Sequence, residues 1–358
     1  MQVFELAGKM GHEQIVYCHD ETVGLKAIIA IHDTTLGPAL GGCRFWNYES
    51  EEAALVDVLR LSRGMTYKAA VTGLNLGGGK AVIMGDPKKL KSEAFFRTFG
   101  RFVNGLGGRY ITAEDVNINV DDMEFVSEET DYVTGSRSGS GDPSPITALG
   151  VFSGIRASVK HKLGKDSLDG LKVAVQGCGA VGQFLCELLK NEGAKLYVTD
   201  IDESKVRACV ERFEAEAVAS ESIHALDVDV YAPCALGAVL NDRTIPELKT
   251  KIVAGGANNQ LEKEDLHGEQ LLKSGILYAP DYVINAGGLI NVYHELRGYN
   301  EQAARHQATG IYDRLLNIFQ EADQHNLPTQ MASDKVAERR IASLRTMRDL
   351  RYTMDDQG

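Results

Sequence analysis

Little in this chain points to metal, membrane or nucleic acid. Its six cysteines, Cys18, Cys43, Cys178, Cys186, Cys209 and Cys234, form no Cys-x-x-Cys pair and lie inside apolar runs, as reduced core thiols do. No cysteine–histidine cluster has the spacing of a structural metal site. Neither His12-Glu13 nor His294-Glu295 is followed by the second histidine of a zinc-protease helix. No metal is expected. No apolar run reaches the length needed to span a bilayer, and the opening MQVFELAGKMGHEQ lacks the charged-then-apolar layout of a signal peptide. A cytoplasmic protein with no membrane partner is expected. Lys and Arg number 38 against 50 Asp and Glu, a formal net charge of −12. That balance disfavours nucleic acid as a partner, because binding phosphates needs a basic surface.

What is present is a globular composition, 44% hydrophobic and 25% charged over 358 residues, a length that suggests two domains. QIVYCHD and LKAIIAIHD read as neighbouring strands, EEAALVDVLRLSRGM and SEAFFRTFGRFVNGLGG as helices, and RYITAEDV as a strand entering a loop. The segment TGSRSGSGDPSP, residues 134–145, is almost all Gly, Ser, Pro and polar residues, and marks the domain boundary. Beyond it strands and helices alternate, the pattern of a parallel sheet covered on both faces. From about Asn300 onward the chain reads as helical.

Within the alternating region, VAVQGCGAVGQFLCELL holds Gly177-x-Gly179-x-x-Gly182 between an expected strand and an expected helix. There the first glycine allows a tight turn, the second admits a pyrophosphate close to the backbone, and the third lets the helix pack on the strand. The helix start, Ala180 and Val181, would offer N–H groups to the phosphates. The next strand, AKLYVTD, ends at Asp200, about 20 residues on, where an acid takes the adenosine ribose hydroxyls and repels a 2′-phosphate. NAD is therefore expected rather than NADP, with Asp202 competing for the ribose contact.

A nicotinamide cofactor implies hydride transfer, and the substrate then needs acid–base help. Three candidates precede the boundary: Lys68 in GMTYKAA, Lys80 in LNLGGGKAVIMGDP, and Asp115 in TAEDVN. Gly77, Gly78 and Gly79 run into Lys80, which reads as a flexible loop meeting a short buried strand. Burial or a second cation brings a lysine toward neutral titration. Of two lysines facing one cleft, one can bind a substrate carboxylate while the other transfers protons. Gly79-Lys80 is not part of a phosphate-binding P-loop, since Leu74 holds the first glycine position and Ala81 replaces Ser or Thr.

LNLGGGKAVIMGDP resembles the active-site signature of the amino-acid dehydrogenases of the glutamate/leucine/phenylalanine/valine family. HDTTLGPALGG, SRGMTYKAA, AEDVN, DPSPITALG, YAPCALGAVLN, GGANNQL and YAPDYVINAGGLINV resemble its other landmarks along nearly the whole chain. The resemblance implies an α/β enzyme of two domains. Residues 1–134 would form the substrate-binding, catalytic and oligomerisation domain, rejoined by a C-terminal helical segment, 330–358. Residues 145–329 would form a Rossmann-type NAD-binding domain, and 135–144 a hinge about which a cleft closes to exclude water. It implies reversible oxidative deamination of a branched-chain L-amino acid, leucine favoured with valine and isoleucine, to the 2-oxo acid and ammonia. The alternatives are a phenylalanine or tryptophan dehydrogenase or, in another class, a non-catalytic NAD-binding regulator. A homo-oligomer built from dimers, as large as an octamer, is implied.

Carried over residue by residue, Lys68 would bind the substrate carboxylate with help from the backbone of Gly41 and Gly42. Lys80 would activate the water that attacks the imino carbon, and Asp115 would exchange protons with the amine. Thr147 and Asn258 would orient the nicotinamide and the substrate edge. Asn285, Cys234 and Ala235 would complete the cofactor site. Leu40, Ala113, Leu289 and Val292 would form an apolar side-chain pocket with no cation for a second carboxylate, which disfavours glutamate. Two departures stand out. The hinge is shorter than the family's usual loop, and Leu289 replaces an expected valine, which narrows the pocket toward valine or isoleucine.

Overall fold

The computed structural model describes residues 3–135 and 141–355, with 347–355 described by backbone alone. The middle of the expected hinge, 136–140, lies outside the described residues. Two compact units emerge. One takes in Met1–Gly141, Glu295–Tyr299 and Ala337–Gly358, the other Asp142–His294 and Asn300–Val336.

The apolar runs of the first unit become a five-stranded mixed sheet: β1 (Gln14–Asp20), β2 (Leu25–Asp33), β3 (Ala39–Trp46), β4 (Gly77–Met84) and β5 (Tyr110–Glu114). Their order is β1-β2-β4-β3-β5. β2 runs antiparallel to both β1 and β4, while β3 lies parallel to β4 and β5. Five helices accompany the sheet: α1 (Val3–Met10), α2 (Glu51–Val71), α3 (Pro87–Leu90), α4 (Glu93–Asn104) and α5 (Val120–Ser127). On one face, Phe95, Phe96, Phe99 and Val103 of α4 pack on Cys43, Phe45, Ala81 and Ile83. On the other, Leu55, Val58 and Leu59 of α2 pack on Ile28, Ala30 and Val82. Burial on both faces explains why β2 and the 81–84 part of β4 read as apolar runs. Side chains alternate across a strand, so Gly78, Lys80 and Val82 point to the α2 face and Gly79, Ala81 and Ile83 to the α4 face.

The second unit begins with α6 (Ser144–Leu163) and holds six strands: β6 (Lys172–Gln176), β7 (Lys195–Thr199), β8 (Glu216–Ala217), β9 (Val230–Pro233), β10 (Ile252–Val253) and β11 (Leu277–Tyr278). All pair in parallel, in the order β11-β10-β9-β6-β7-β8. The order reverses between β6 and β9, a topological switch point, where open α/β sheets bind ligands beyond the strand ends. The helices are α7 (Ala180–Asn191), α8 (Glu203–Phe213), α9 (Glu264–Lys273), α10 (Asp281–Ile284), α11 (Gly287–Glu295), α12 (Glu301–Thr309) and α13 (Ile311–His325).

The last helix, α14 (Thr329–Asp355), enters the first unit from Ala337. There Arg340 donates to the carbonyls of Ala70 and Leu74 at 3.1 and 2.8 Å, and the Tyr67 hydroxyl donates to Glu338 at 2.8 Å. The C-terminal helix thus caps the open carbonyls at the end of α2 with a guanidinium, the partner the negative end of a helix favours. All six cysteines are free thiols, and five are buried. Among the described residues no helix is long and apolar enough to cross a membrane.

Candidate active site

The glycine triplet belongs to the strand, not to a loop. Gly77, Gly78 and Gly79 open β4 and are buried, which corrects the expectation of a flexible segment before Lys80. Crowding is what requires glycine. A Cβ on Gly77 would stand 2.2 Å from the Asp33 carbonyl oxygen, and one on Gly78 would stand 2.2 Å from the Thr66 nitrogen of α2. Gly41 on β3 is tighter still: its Cβ would stand 1.8 Å from the Gly79 oxygen. The β3–β4 ladder pairs Leu40 with Gly78 and resumes at Cys43 with Ala81, skipping Gly41 and Gly42, while β5 pairs with both. Close approach therefore fixes the backbone on which the next residue, Lys80, is carried.

Lys80 is only 7% exposed. Its Nζ lies 2.7 Å from Oδ2 of Asp115, which follows directly on β5. The same oxygen has Arg44 Nε at 3.6 Å, and Arg44 Nη1 in turn meets Asp57 of α2 at 3.0 Å. Asp57 Oδ2 also accepts from the Tyr48 hydroxyl at 2.7 Å. Burial pushes the Asp115 carboxyl upward, but the charges of Lys80 and Arg44 outweigh it and hold the carboxyl below its ordinary range. Arg44, Asp57 and Tyr48 were not among the residues singled out from sequence.

Lys68 sits half-buried in the last turns of α2, two residues beyond the Thr66 that packs on Gly78. α2 lies on the Lys80 face of the sheet, so the helix that carries Lys68 and the Lys80 side chain are on the same side. Leu40 is 3% exposed, and Ala113 pairs in register with Gly42, two residues further along β3, so the two flank one face of neighbouring strands.

In the second unit the fingerprint forms the expected strand, turn and helix. Gly177 takes φ +107°, and a Cβ there would lie 2.9 Å from both N and Cβ of Ala235, which follows Cys234. A Cβ on Gly182 would stand 2.0 Å from the Gly177 carbonyl oxygen, so this glycine seats α7 against the turn. Gly179 is different: a Cβ there would meet nothing within 4 Å. It is the N-cap of α7, and no side chain caps the helix, so no side chain occupies the first-turn amides at Ala180 and Val181, the groups that suit an anion. Asp200 ends β7 and accepts from the Cys178 amide at 2.7 Å. Asp202 instead caps α8 by accepting from Ser204 N at 3.0 Å. Beside Asp200 a cavity of about 450 Å³ is lined by Val206, Arg207, Val218, Ala219 and Ser220, residues that no sequence motif marks. These groups suit a dinucleotide, with room for its adenosine end beside Asp200 and an open cradle at Gly179 for its phosphates.

Asn285 donates to Asn258 Oδ1 at 2.7 Å, so these two expected residues are brought together. The Cys234 thiol accepts from Gly256 N at 3.4 Å. Thr147, near the start of α6, donates its hydroxyl to the Pro143 carbonyl at 2.9 Å. A Cβ on Gly287 would stand 2.6 Å from the Thr147 Cα, which places Thr147 beside the start of α11. Leu289 and Val292 lie three residues apart on α11, one turn of the same helix face. Asp242, Glu262 and His267 also bring donor atoms within 4.8 Å of one another. There His267 Nδ1 accepts from the Lys263 amide, and Asp242 pairs with both His267 and the Lys263 ammonium.

The family model described as Glu/Leu/Phe/Val dehydrogenase, dimerisation domain, matches residues 12–132, and that described as Glutamate/Leucine/Phenylalanine/Valine dehydrogenase matches 138–205 and 197–358. Leucine dehydrogenase from Bacillus cereus is 56% identical over 351 residues, 97% of this chain and 96% of the relative. Phenylalanine dehydrogenase from Bacillus thermotolerans is 47% identical over 350 residues, 95% of this chain and 91% of the relative. The crystal structure of L-tryptophan dehydrogenase from Nostoc punctiforme superposes with a TM-score of 0.89 at 52% identity, covering 96% of this chain and 99% of that one. The chain belongs to the glutamate/leucine/phenylalanine/valine dehydrogenase family, the amino-acid dehydrogenases whose landmarks its sequence carries.

Proposed function

We propose that the chain catalyses the NAD-dependent, reversible oxidative deamination of a branched-chain L-amino acid, leucine first, with valine and isoleucine. In balance, amino acid, NAD⁺ and water give 2-oxo acid, ammonium, NADH and a proton. The observation that carries this reading is the buried Lys80 ammonium, 2.7 Å from Asp115 on a backbone of crowded glycines. When bound, NAD accepts the hydride from the substrate Cα. Gly177, Gly179, Ala180, Val181, Gly182 and Asp200 would hold it, with Thr147, Cys234, Ala235, Asn258 and Asn285 toward the nicotinamide. Asp200 and Glu203 place two carboxylates against the single guanidinium of Arg207 around the cavity, which supports NAD over a cofactor bearing an extra phosphate.

Lys68, with the Gly41 and Gly42 backbone, anchors the substrate carboxylate. Asp115 takes a proton from the substrate amine so that its lone pair can form the imine as hydride leaves. Lys80, as a free amine, takes a proton from the water that adds to the imino carbon. Leu40 and Ala113 offer the side chain an apolar wall with no partner for a second carboxylate, and Leu289 and Val292 select its size. A dimer formed through the first unit, and a larger assembly of such dimers, would complete the enzyme. Lys68, Lys80 and Asp115 all being present argues against a non-catalytic NAD-binding regulator.

The aromatic amino-acid dehydrogenases among the relatives make substrate choice the test. Initial rates of NADH formation with leucine, valine, isoleucine, phenylalanine and tryptophan, run in parallel, should be highest with leucine. Faster phenylalanine or tryptophan turnover overturns the substrate, and equal rates with NADP overturn the cofactor assignment.

A further inference from the structure

We propose that Arg44 is a positioning residue, the standing counter-cation of Asp115, which takes over that carboxylate when Lys80 turns to the substrate. The inference rests on the roles given above to Lys80 and Asp115. Lys80 has two incompatible duties in that scheme. As an ammonium it neutralises Asp115, and as a base it must be neutral. To reach the water-addition step as a free amine, Lys80 must lie uncharged beside Asp115 while Asp115 is still the ionised base for the amine. That leaves the carboxylate without its nearest positive partner in a largely buried setting, its side chain 26% exposed. An unpaired buried carboxylate protonates instead. The site then loses the base that accepts the amine proton.

Arg44 is placed to prevent this. Unlike an ammonium, a guanidinium does not give up its charge in proteins. Side chains alternate along β3, so Arg44, between the core residues Cys43 and Phe45, projects to the opposite face, toward α2. One end of the fork is clamped, Nη1 to Asp57 Oδ2 at 3.0 Å, and Asp57 is itself held by the Tyr48 hydroxyl at 2.7 Å. The other end is not engaged. Arg44 Nε is buried without a hydrogen-bond partner and lies 3.6 Å from Asp115 Oδ2, whose present partner is Lys80 Nζ at 2.7 Å. An unsatisfied buried donor thus stands beside a carboxylate oxygen that a lysine holds now, and a closure of about 0.7 Å makes the two a hydrogen bond. A clamped guanidinium with its free N–H aimed at a carboxylate already taken by a lysine fits a relay better than a static ion pair. Among the described residues, the further ionisable groups beside this network include Cys43, Glu114 and Arg60. The Cys43 thiol is buried and held neutral by that burial, and Arg60 faces the far oxygen of Asp57 at 3.7 Å.

The sign of the expected pH effect is set by charge. Arg44 lowers the Asp115 pKa, so its removal raises it, and the acid limb of kcat, which needs ionised Asp115, moves to higher pH. The experiment measures kcat and KM for leucine against pH, with NAD saturating, in Arg44→Gln, Arg44→Lys and Asp57→Asn. Lys80→Ala and Asp115→Asn run alongside. Arg44→Gln should lose about tenfold in kcat at neutral pH, with KM for leucine within about twofold, and should show the shifted limb. Arg44→Lys should return the limb toward its original position while recovering only part of kcat. Asp57→Asn, which loosens the clamp and removes a carboxylate but keeps the Arg44 charge, should lower kcat without raising the limb.

Wild-type activity in Lys80→Ala or Asp115→Asn would overturn the site itself. Inactive Lys80→Ala and Asp115→Asn, together with an unmoved acid limb in Arg44→Gln, would overturn the role of Arg44 alone. Should Arg44→Gln fail to fold, as judged by circular dichroism and NAD binding, the contrast of Arg44→Lys with Asp57→Asn decides. Identical wild-type profiles in both would refute the relay.

Discussion

The two units solve opposite problems with the same residue. In the first, glycines are needed because matter is already there: a Cβ on Gly41 would stand 1.8 Å from the Gly79 oxygen, and one on Gly78 would stand 2.2 Å from the Thr66 nitrogen. In the second, Gly179 is a glycine with nothing within 4 Å of where a Cβ would be. The first arrangement holds charged side chains, Lys80, Asp115 and Arg44, in a tightly fixed register. The second leaves space and main-chain amides for a ligand. Chemistry on a substrate calls for side chains whose charges are set by burial and by one another. Holding a dinucleotide calls mostly for backbone and room.

The largest expected effect strikes the first arrangement at its charged centre. Lys80→Ala should lower kcat for deamination by about 10³-fold, the scale of lost acid–base catalysis, while NAD binding measured by NADH fluorescence or calorimetry stays within about twofold. If cofactor affinity fell with it, the division of labour between the two units would fail. Next comes Gly41→Ala. Its methyl would collide with backbone rather than a movable side-chain tip, so it should destabilise the first unit by at least about 3 kcal/mol. The measurement is denaturant unfolding, and an unchanged midpoint would show that the crowding at Gly41 is relieved at no cost.

Much of this was readable from local pattern. QIVYCHD and LKAIIAIHD became β1 and β2 because runs buried on one or both faces must be apolar. The fingerprint was legible because strand, glycine turn and helix are contiguous in sequence, and the physics of each glycine acts within a few residues. Lys80 was legible as unusual, but for the wrong reason. Three glycines before a lysine suggest mobility, and only the packing of α2, β2 and β3 around β4 shows that they are there for lack of space. Arg44 was not legible. Its partners are Asp57, 13 residues away on a helix, and Asp115, beyond a strand that lies beside β3 only in the fold. No spacing rule links them.

Substitutions in the second unit should weaken cofactor binding before stability. Gly179→Ala places a methyl in open space, so the unfolding midpoint should hardly change. The Kd for NAD should rise on the order of tenfold, about 1.4 kcal/mol, because the methyl stands where the pyrophosphate must approach. A stable variant with wild-type affinity would remove Gly179 from the cradle.

The smallest effects separate two acids that spacing alone left in competition. Asp200 ends β7 beside the cavity of about 450 Å³, whereas Asp202 spends its carboxylate on the first turn of α8. Asp200→Asn should therefore raise KM for NAD and narrow its advantage over NADP, since the repulsion of a 2′-phosphate is weakened. Asp202→Ala should lower the thermal midpoint slightly through loss of the helix cap, and leave the NAD-to-NADP rate ratio as it was. Should the ratio move with Asp202 and not with Asp200, the helix cap would be the nucleotide ligand, and the ribose would be read one step further along the chain than the strand end implies.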